Sequence, residues 1–178
     1  MKTATQNLEN DHVHILRLTD IMEQLTVVQD PDVTHLEKIV EIIRNFADGV
    51  HHAKEEQILF PYLAKKGFSQ TQGPVAVMLN EHVSGRNFVK GMSENIELYK
   101  KGDRDALGKI YYNMAGYADL LRSHISKENN ILFRMADRVL SDSEQEDLLR
   151  AFETADKSFT MPEEYISQIE YLSVFYEV

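Results

Sequence analysis

The 178-residue sequence has no cysteine, few glycines and prolines (eight and four), and no long uncharged apolar run. Without cysteine there is no disulfide framework, no thiolate zinc site and no iron–sulfur cluster. No stretch approaches the roughly 18 apolar residues that a membrane-spanning helix needs. The opening segment, Met1 to Asn10, is polar and lacks the apolar centre of a signal peptide. A cytoplasmic protein is the expectation. Positive charge is also scarce: the formal net charge of −10 argues against nucleic acid or an anionic membrane as a main partner.

What is present is histidine, seven in all. A metal bound by this chain would have imidazole and carboxylate ligands, a set that suits iron, manganese or zinc.

Strand-like alternation is absent, and apolar residues recur every three to four positions, as in Ile39, Ile42, Ile43, Phe46 and Val50. Asp30-Pro31-Asp32 marks a helix start, with Asp30 as N-cap. Lys66-Gly67 and Lys101-Gly102 mark stops, Gly73-Pro74 a restart, and Ser141 to Glu144 has capping-box spacing. These marks predict helices over about 5–29, 32–66, 74–100 and 103–139, a fifth over 142–158 and a short one after Pro162. Pro61 should kink the second helix or end its regular part. Short connections favour an all-α, up-down antiparallel four-helix bundle over 1–140. Residues 141–178 form a C-terminal helical extension on the bundle or at a homodimer interface. Its aromatic residues Phe159, Tyr165, Tyr171, Phe175 and Tyr176 fit a helix that covers the bundle.

Two segments align without gaps. Residues 51–60 and 124–133 both read H-x-x-K-E-x-x-I-L-F, and Asn10-Asp11-His12-Val13 matches Asn80-Glu81-His82-Val83. Each half therefore supplies one histidine on its first helix and an H-x-x-x-E pair on its second. In an antiparallel hairpin, residues equidistant from the turn share a height. The midpoint of His12 and His51 falls at Pro31–Asp32, and that of His82 and His124 at Asp103, both in expected turns. His51/Glu55 and His82 are centred on Gly67–Phe68. At about 1.5 Å rise per residue, each lies roughly 20–30 Å from its turn, in one layer. Six unpaired polar groups there would cost on the order of several kcal/mol each. Metal ions would neutralise the carboxylates and use the imidazole lone pairs. The simplest assignment is two metals bridged by Glu55 and Glu128 with two terminal histidines each. The sequence leaves open which histidines share a metal; hairpin neighbours, His12 with His51 and His82 with His124, are the preferred pairing.

These motifs resemble the hemerythrin-like, or HHE cation-binding, family over about residues 8–140. The resemblance is carried by Asp11-His12, by His51-His52-x-Lys54-Glu55-Glu56 with Leu59-Phe60-Pro61, by Glu81-His82-x-x-Gly85-Arg86, and by His124-x-x-Lys127-Glu128-Asn129 with Leu132-Phe133. It implies a four-helix bundle around an oxo- or hydroxo-bridged pair of iron ions, with zinc or manganese as substitutes. Its implied ligands are His12, His51, Glu55, His82, His124 and Glu128. Members carry or sense oxygen, bind nitric oxide, repair iron centres or sense iron. Oxygen-carrying members have a second histidine where this chain has Arg86, and end on H-x-x-x-x-D where it has H-x-x-x-E. Both departures count against reversible oxygen carriage.

Around these six, His52 is about 100° from His51 on an α-helix and is read as lying behind the ligands or at a helix interface, with a fifth-ligand role as the lesser alternative. Glu56 and Glu81 could hydrogen-bond ligand histidines, but solvated charge is the preferred reading. Arg86 either closes the site through Glu81 or an external anion, or exits to solvent. His14 and His35 are read as surface residues and Tyr117 as core. The expected function is non-enzymatic binding or sensing of oxygen, nitric oxide or peroxide, or iron handling under oxidative or nitrosative stress. A di-iron oxidoreductase is the alternative, and a helical interaction module with a zinc-filled or degenerate site the third reading.

Overall fold

Thr3 opens the chain with a capping box: its hydroxyl accepts the Gln6 N–H at 3.2 Å, and the Gln6 side chain accepts the Thr3 N–H at 3.1 Å. The computed structural model describes residues 3–158 and 162–178, with six helices and no strand among them. Helix α1 is Ala4–Leu25, α2 spans 33–65, α3 is Gly73–Lys100, α4 spans 106–139, α5 is Asp142–Ser158 and α6 is Pro162–Phe175. The first four form the antiparallel bundle. Helix α1 stops at Leu25 rather than near 29, where β-branched Thr26, Val27 and Val28 tighten into three-residue turns. The cap of α2 is Asp32, which accepts the Thr34 N–H at 2.8 Å. Asp30 instead accepts from the Tyr99 hydroxyl at 3.2 Å.

Helices α2 and α3 end alike. Gly67 and Gly102 take φ of +94° and +98°. The next residue's N–H then returns to the carbonyl five positions back, Phe68 to Leu63 and Asp103 to Leu98, each at 3.1 Å.

Two of the four bundle helices change gauge at mid-length. Helix α2 is α-helical over Val33–Ile42, has π-type turns over Ile43–His52 and Glu55–Leu59, and is α-helical again over Phe60–Lys65. Helix α4 has one π-type turn at Glu128–Leu132 between Ala106–Lys127 and Phe133–Val139. The repeats match here too: Phe60 donates to the Glu55 carbonyl and Phe133 to the Glu128 carbonyl. Pro61 neither ends α2 nor causes this turn, because Arg134 occupies the matching place in α4. Such bulges occur often at functional sites.

The buried apolar residues form two clusters. One, with Ile15, Leu18, Ile43, Phe46, Met114 and Tyr117, fills the end nearer the α1–α2 turn. The other, with Leu8, Phe60, Leu63, Met78, Phe133 and Phe152, fills the opposite end. Helix α5 packs on α1 and the Glu55–Leu59 segment, and α6 on α1 and α2. Tyr165, Ile169 and Leu172 of α6 are buried, so this segment covers the bundle. Phe159 lies outside the described residues.

Candidate metal centre

Between the two apolar clusters lies a polar layer. His12, His51, Glu55, His82, His124 and Glu128 meet there, each at most 2 % exposed. The Nε2 atoms of His12 and His51 are 3.0 Å apart, and those of His82 and His124 are 3.2 Å apart. Each carboxylate spans both histidine pairs. Glu55 sets Oε1 3.7 Å from His51 and Oε2 3.4 Å from His82. Glu128 sets Oε2 3.3 Å from His12 and Oε1 3.3 Å from His124. The two glutamates thus face both halves in the same manner.

The outer nitrogens explain which way the rings point. His51 Nδ1 faces Asp11 at 3.4 Å, His82 Nδ1 faces Glu56 at 2.7 Å and His124 Nδ1 faces Glu81 at 2.9 Å. A carboxylate only accepts, so each Nδ1 donates and each neutral ring turns its Nε2 lone pair inward. His12 Nδ1 is 2.7 Å from Asn129 Oδ1. The lysines of the two K-E motifs hold the backing acids. Lys54 Nζ lies 3.2 Å from Asp11 and 2.8 Å from Asp156, while Lys127 pairs with Glu81. The motif phenylalanines cross over, Phe60 stacking near His82 (6.1 Å) and Phe133 near His12 (5.6 Å).

Both oxygens of Glu55 and both of Glu128 are buried without a hydrogen-bond donor. Burial, then the charge of Glu128, pushes the Glu55 carboxyl well above the usual range. Glu128 is held low by His124 and His12 against burial. Burial pulls His51 down to about 4, and burial with neighbouring His82 holds His52 well below the usual imidazole value. His124 rises, because Glu128 and Glu55 outweigh the opposing effect of burial. Carboxylate oxygens facing imidazole lone pairs form an acceptor-only set, which a cation satisfies. Among the described residues, two groups could hold a metal ion: His12, His51, Glu55 and Glu128, and His52, Glu55, His82 and His124. Within each, the donor atoms lie within 4.8 Å of one another.

The family model for the hemerythrin HHE cation-binding domain matches residues 3–136. The chain belongs to that family. Among curated proteins, the iron–sulfur cluster repair protein YtfE of Enterobacter sp. (strain 638) is 38 % identical over 90 residues, 48 % of this chain and 40 % of that protein. YtfE of Escherichia coli O157:H7 is 36 % identical over 88 residues, with the same coverage. The uncharacterized protein Rv1995 of Mycobacterium tuberculosis (strain H37Rv) is 24 % identical over 155 residues, 85 % of this chain and 60 % of that one. The chain thus spans less than half the length of the repair proteins it matches.

Several residues of this HHE domain lie where the sequence did not put them. Glu56 and Glu81 are not free solvated charges; each holds a histidine of the layer. Arg86 reaches Glu56 at 2.7 Å and Asp48 at 2.7 Å rather than Glu81, which turns the other way to His124. His52 is 4 % exposed and stacks on His82 with ring centres 3.8 Å apart. His35 is buried, not on the surface, because α6 folds over it and Tyr176 bonds its Nδ1 at 2.8 Å. His14 is half-buried, edge-on to Phe46 at 6.4 Å, and Tyr117 is core. Asp11, Asp48, Asn129 and the two lysines were missed as supporting residues. The lysine common to both repeats, and the acid before His12 and His82, were the available signals. Among the described residues, no helix is long and apolar enough to cross a membrane.

Proposed function

We propose that the polar layer holds two metal ions, iron in the cell, bridged by Glu55 and Glu128. His12 and His51 serve one ion, and His82 and His124 the other. The observation that carries this reading is the set of four buried carboxylate oxygens with no donor, each facing an imidazole nitrogen. Asp11, Glu56 and Glu81 fix the tautomer and direction of three of the rings, and Lys54 and Lys127 hold two of those acids in place. Ionised carboxylates and neutral imidazoles are the states that bind a metal, so ion uptake displaces protons from the layer. When bound, iron supplies Lewis acidity and one-electron chemistry. The apolar clusters above and below exclude bulk water from the layer.

The biological reading is a cytoplasmic, non-haem di-iron protein that binds or senses oxygen, nitric oxide or peroxide, or handles iron under oxidative or nitrosative stress. Partial similarity to proteins named for iron–sulfur cluster repair supports the stress-related part. A cavity of about 130 Å³, lined by His82, Gly85 and Tyr117 among others, reaches the layer and suits a small molecule rather than a large substrate. The test is to expose the anaerobically iron-loaded protein to nitric oxide, oxygen and peroxide in turn. Stoichiometric spectral change without turnover is expected. Sustained consumption of peroxide, nitric oxide or ferrous iron would make the protein a di-iron oxidoreductase instead.

A further inference from the structure

The layer is built from two matching repeats, and four positions where they differ lie beside it. His52 aligns with Ile125, Asp48 with Leu121, Gly85 with Ile15 and Arg86 with Leu16. Ile15, Leu121 and Ile125 are buried core residues, and Leu16 packs against them. Their counterparts His52, Asp48 and Arg86, drawn from both repeats, form a connected polar set. His52 Nδ1 donates to Asp48 Oδ1 at 3.2 Å, and Arg86 Nε donates to that same oxygen at 2.9 Å. Arg86 then reaches Glu56, whose Oε1 accepts from His82 Nδ1. One Asp–Arg–Glu link therefore holds the outer nitrogens of both His52 and His82.

We propose that His52 is a fifth imidazole donor of the layer, directed to the His82/His124 position, so that the two metal positions are unequal. The proposal rests on the metal-pair reading. A nitrogen of His52 lies within 4.8 Å of donor atoms of Glu55, His82 and His124. With Nδ1 committed to Asp48, Nε2 is the nitrogen left to turn inward, the same arrangement found for His51, His82 and His124. Adjacent residues of α2 serve both histidine pairs, His51 facing His12 and His52 stacking on His82. A residue needed only to fill the helix interface would do as well apolar, as Ile125 does at the matching position of the other repeat.

The test uses the full chain loaded with cobalt(II) under nitrogen. Proton NMR of the paramagnetic protein should show five hyperfine-shifted, exchangeable imidazole N–H signals, and four in His52→Leu, the side-chain class the other repeat already accepts. Cobalt titration of that variant should show one of two ions weakened at least tenfold and the other unchanged. In His52→Ala, added imidazole should restore the weakened ion, entering through the cavity between Gly85 and Tyr117. Four shifted signals in the wild-type protein, wild-type affinity for both ions in His52→Leu, or a loss that imidazole does not restore would overturn the proposal. Absence of any shifted imidazole signal and of cobalt uptake would instead overturn the metal pair itself.

Discussion

His82 and His124 face one another with Nε2 atoms 3.2 Å apart, while the Nδ1 of each donates to a carboxylate on a neighbouring helix. In their neutral form, two rings held in this way point lone pairs at each other, with oxygens of Glu55 and Glu128 at 3.4 and 3.3 Å. The fold holds this arrangement from outside. Asp11, Glu56 and Glu81 each lie on a different helix from the ring they fix, so removing a helix contact or removing an acid loosens the same geometry.

Glu56→Ala and Glu81→Ala should each weaken metal binding by about 10–100-fold without unfolding the bundle. Competition against a chromophoric chelator measures this directly. Wild-type affinity in both variants would show that the outer hydrogen bonds do not orient the rings. Glu81→Ala should also free Lys127, whose acid partner among the described residues is Glu81.

The two motif lysines occupy the same place in the repeat but differ in burial. Lys54 is 2 % exposed and serves Asp11, Asp156 and Asn7, whereas the Lys127 side chain is 33 % exposed. Lys54→Met should therefore lower unfolding stability by about 3–5 kcal/mol, since it strands buried carboxylate. Lys127→Met should change it by about 0–1 kcal/mol. Urea unfolding of the metal-free chain separates the two. Equal effects would contradict the distinction.

Helix α5 is tied to the end of α2 by Glu144, which bonds Lys66 at 2.6 Å and the Ser141 N–H at 2.9 Å. Lys66, then Ser141, holds the Glu144 carboxyl at about 2. A folded-state value below the unfolded one near 4.5 gives stability that is full above 4.5 and lost as pH falls toward 2. Carbon-detected NMR titration should place Glu144 well below the ordinary glutamate range, and Lys66→Ala should move it upward. An ordinary value in the wild-type chain would contradict the tie.

The bundle and the six converging residues were legible because they rest on local rules. Turn residues set the helix ends, and equal distances from those turns set the height of His12, His51, His82 and His124. His52 was read as lying behind the ligands or at a helix interface; its stacking on His82 depends on the packing of α2 against α3, which spacing along one helix does not reveal. The matching π-type turns carry no common sequence mark after them, since Glu55–Leu59 is followed by Phe60-Pro61 and Glu128–Leu132 by Phe133-Arg134. The parts played by Glu56 and Glu81 depend on which neighbouring helix each one faces, which spacing along one helix does not reveal. His35 looked exposed because the residues that cover it come from far along the chain (Tyr176 lies 141 residues on). Asp48 and Arg86 likewise meet only through the packing of α2 against α3.

The most direct measurement is metal content, by equilibrium dialysis and elemental analysis of the chain loaded anaerobically with ferrous iron, alongside Glu55→Ala and Glu128→Ala. Two irons per wild-type chain, near-ultraviolet absorption of a coupled ferric pair after air, and loss of paired binding in both variants are the expected results. Less than one iron per chain, or unchanged stoichiometry in both variants, would contradict a metal pair bridged by Glu55 and Glu128.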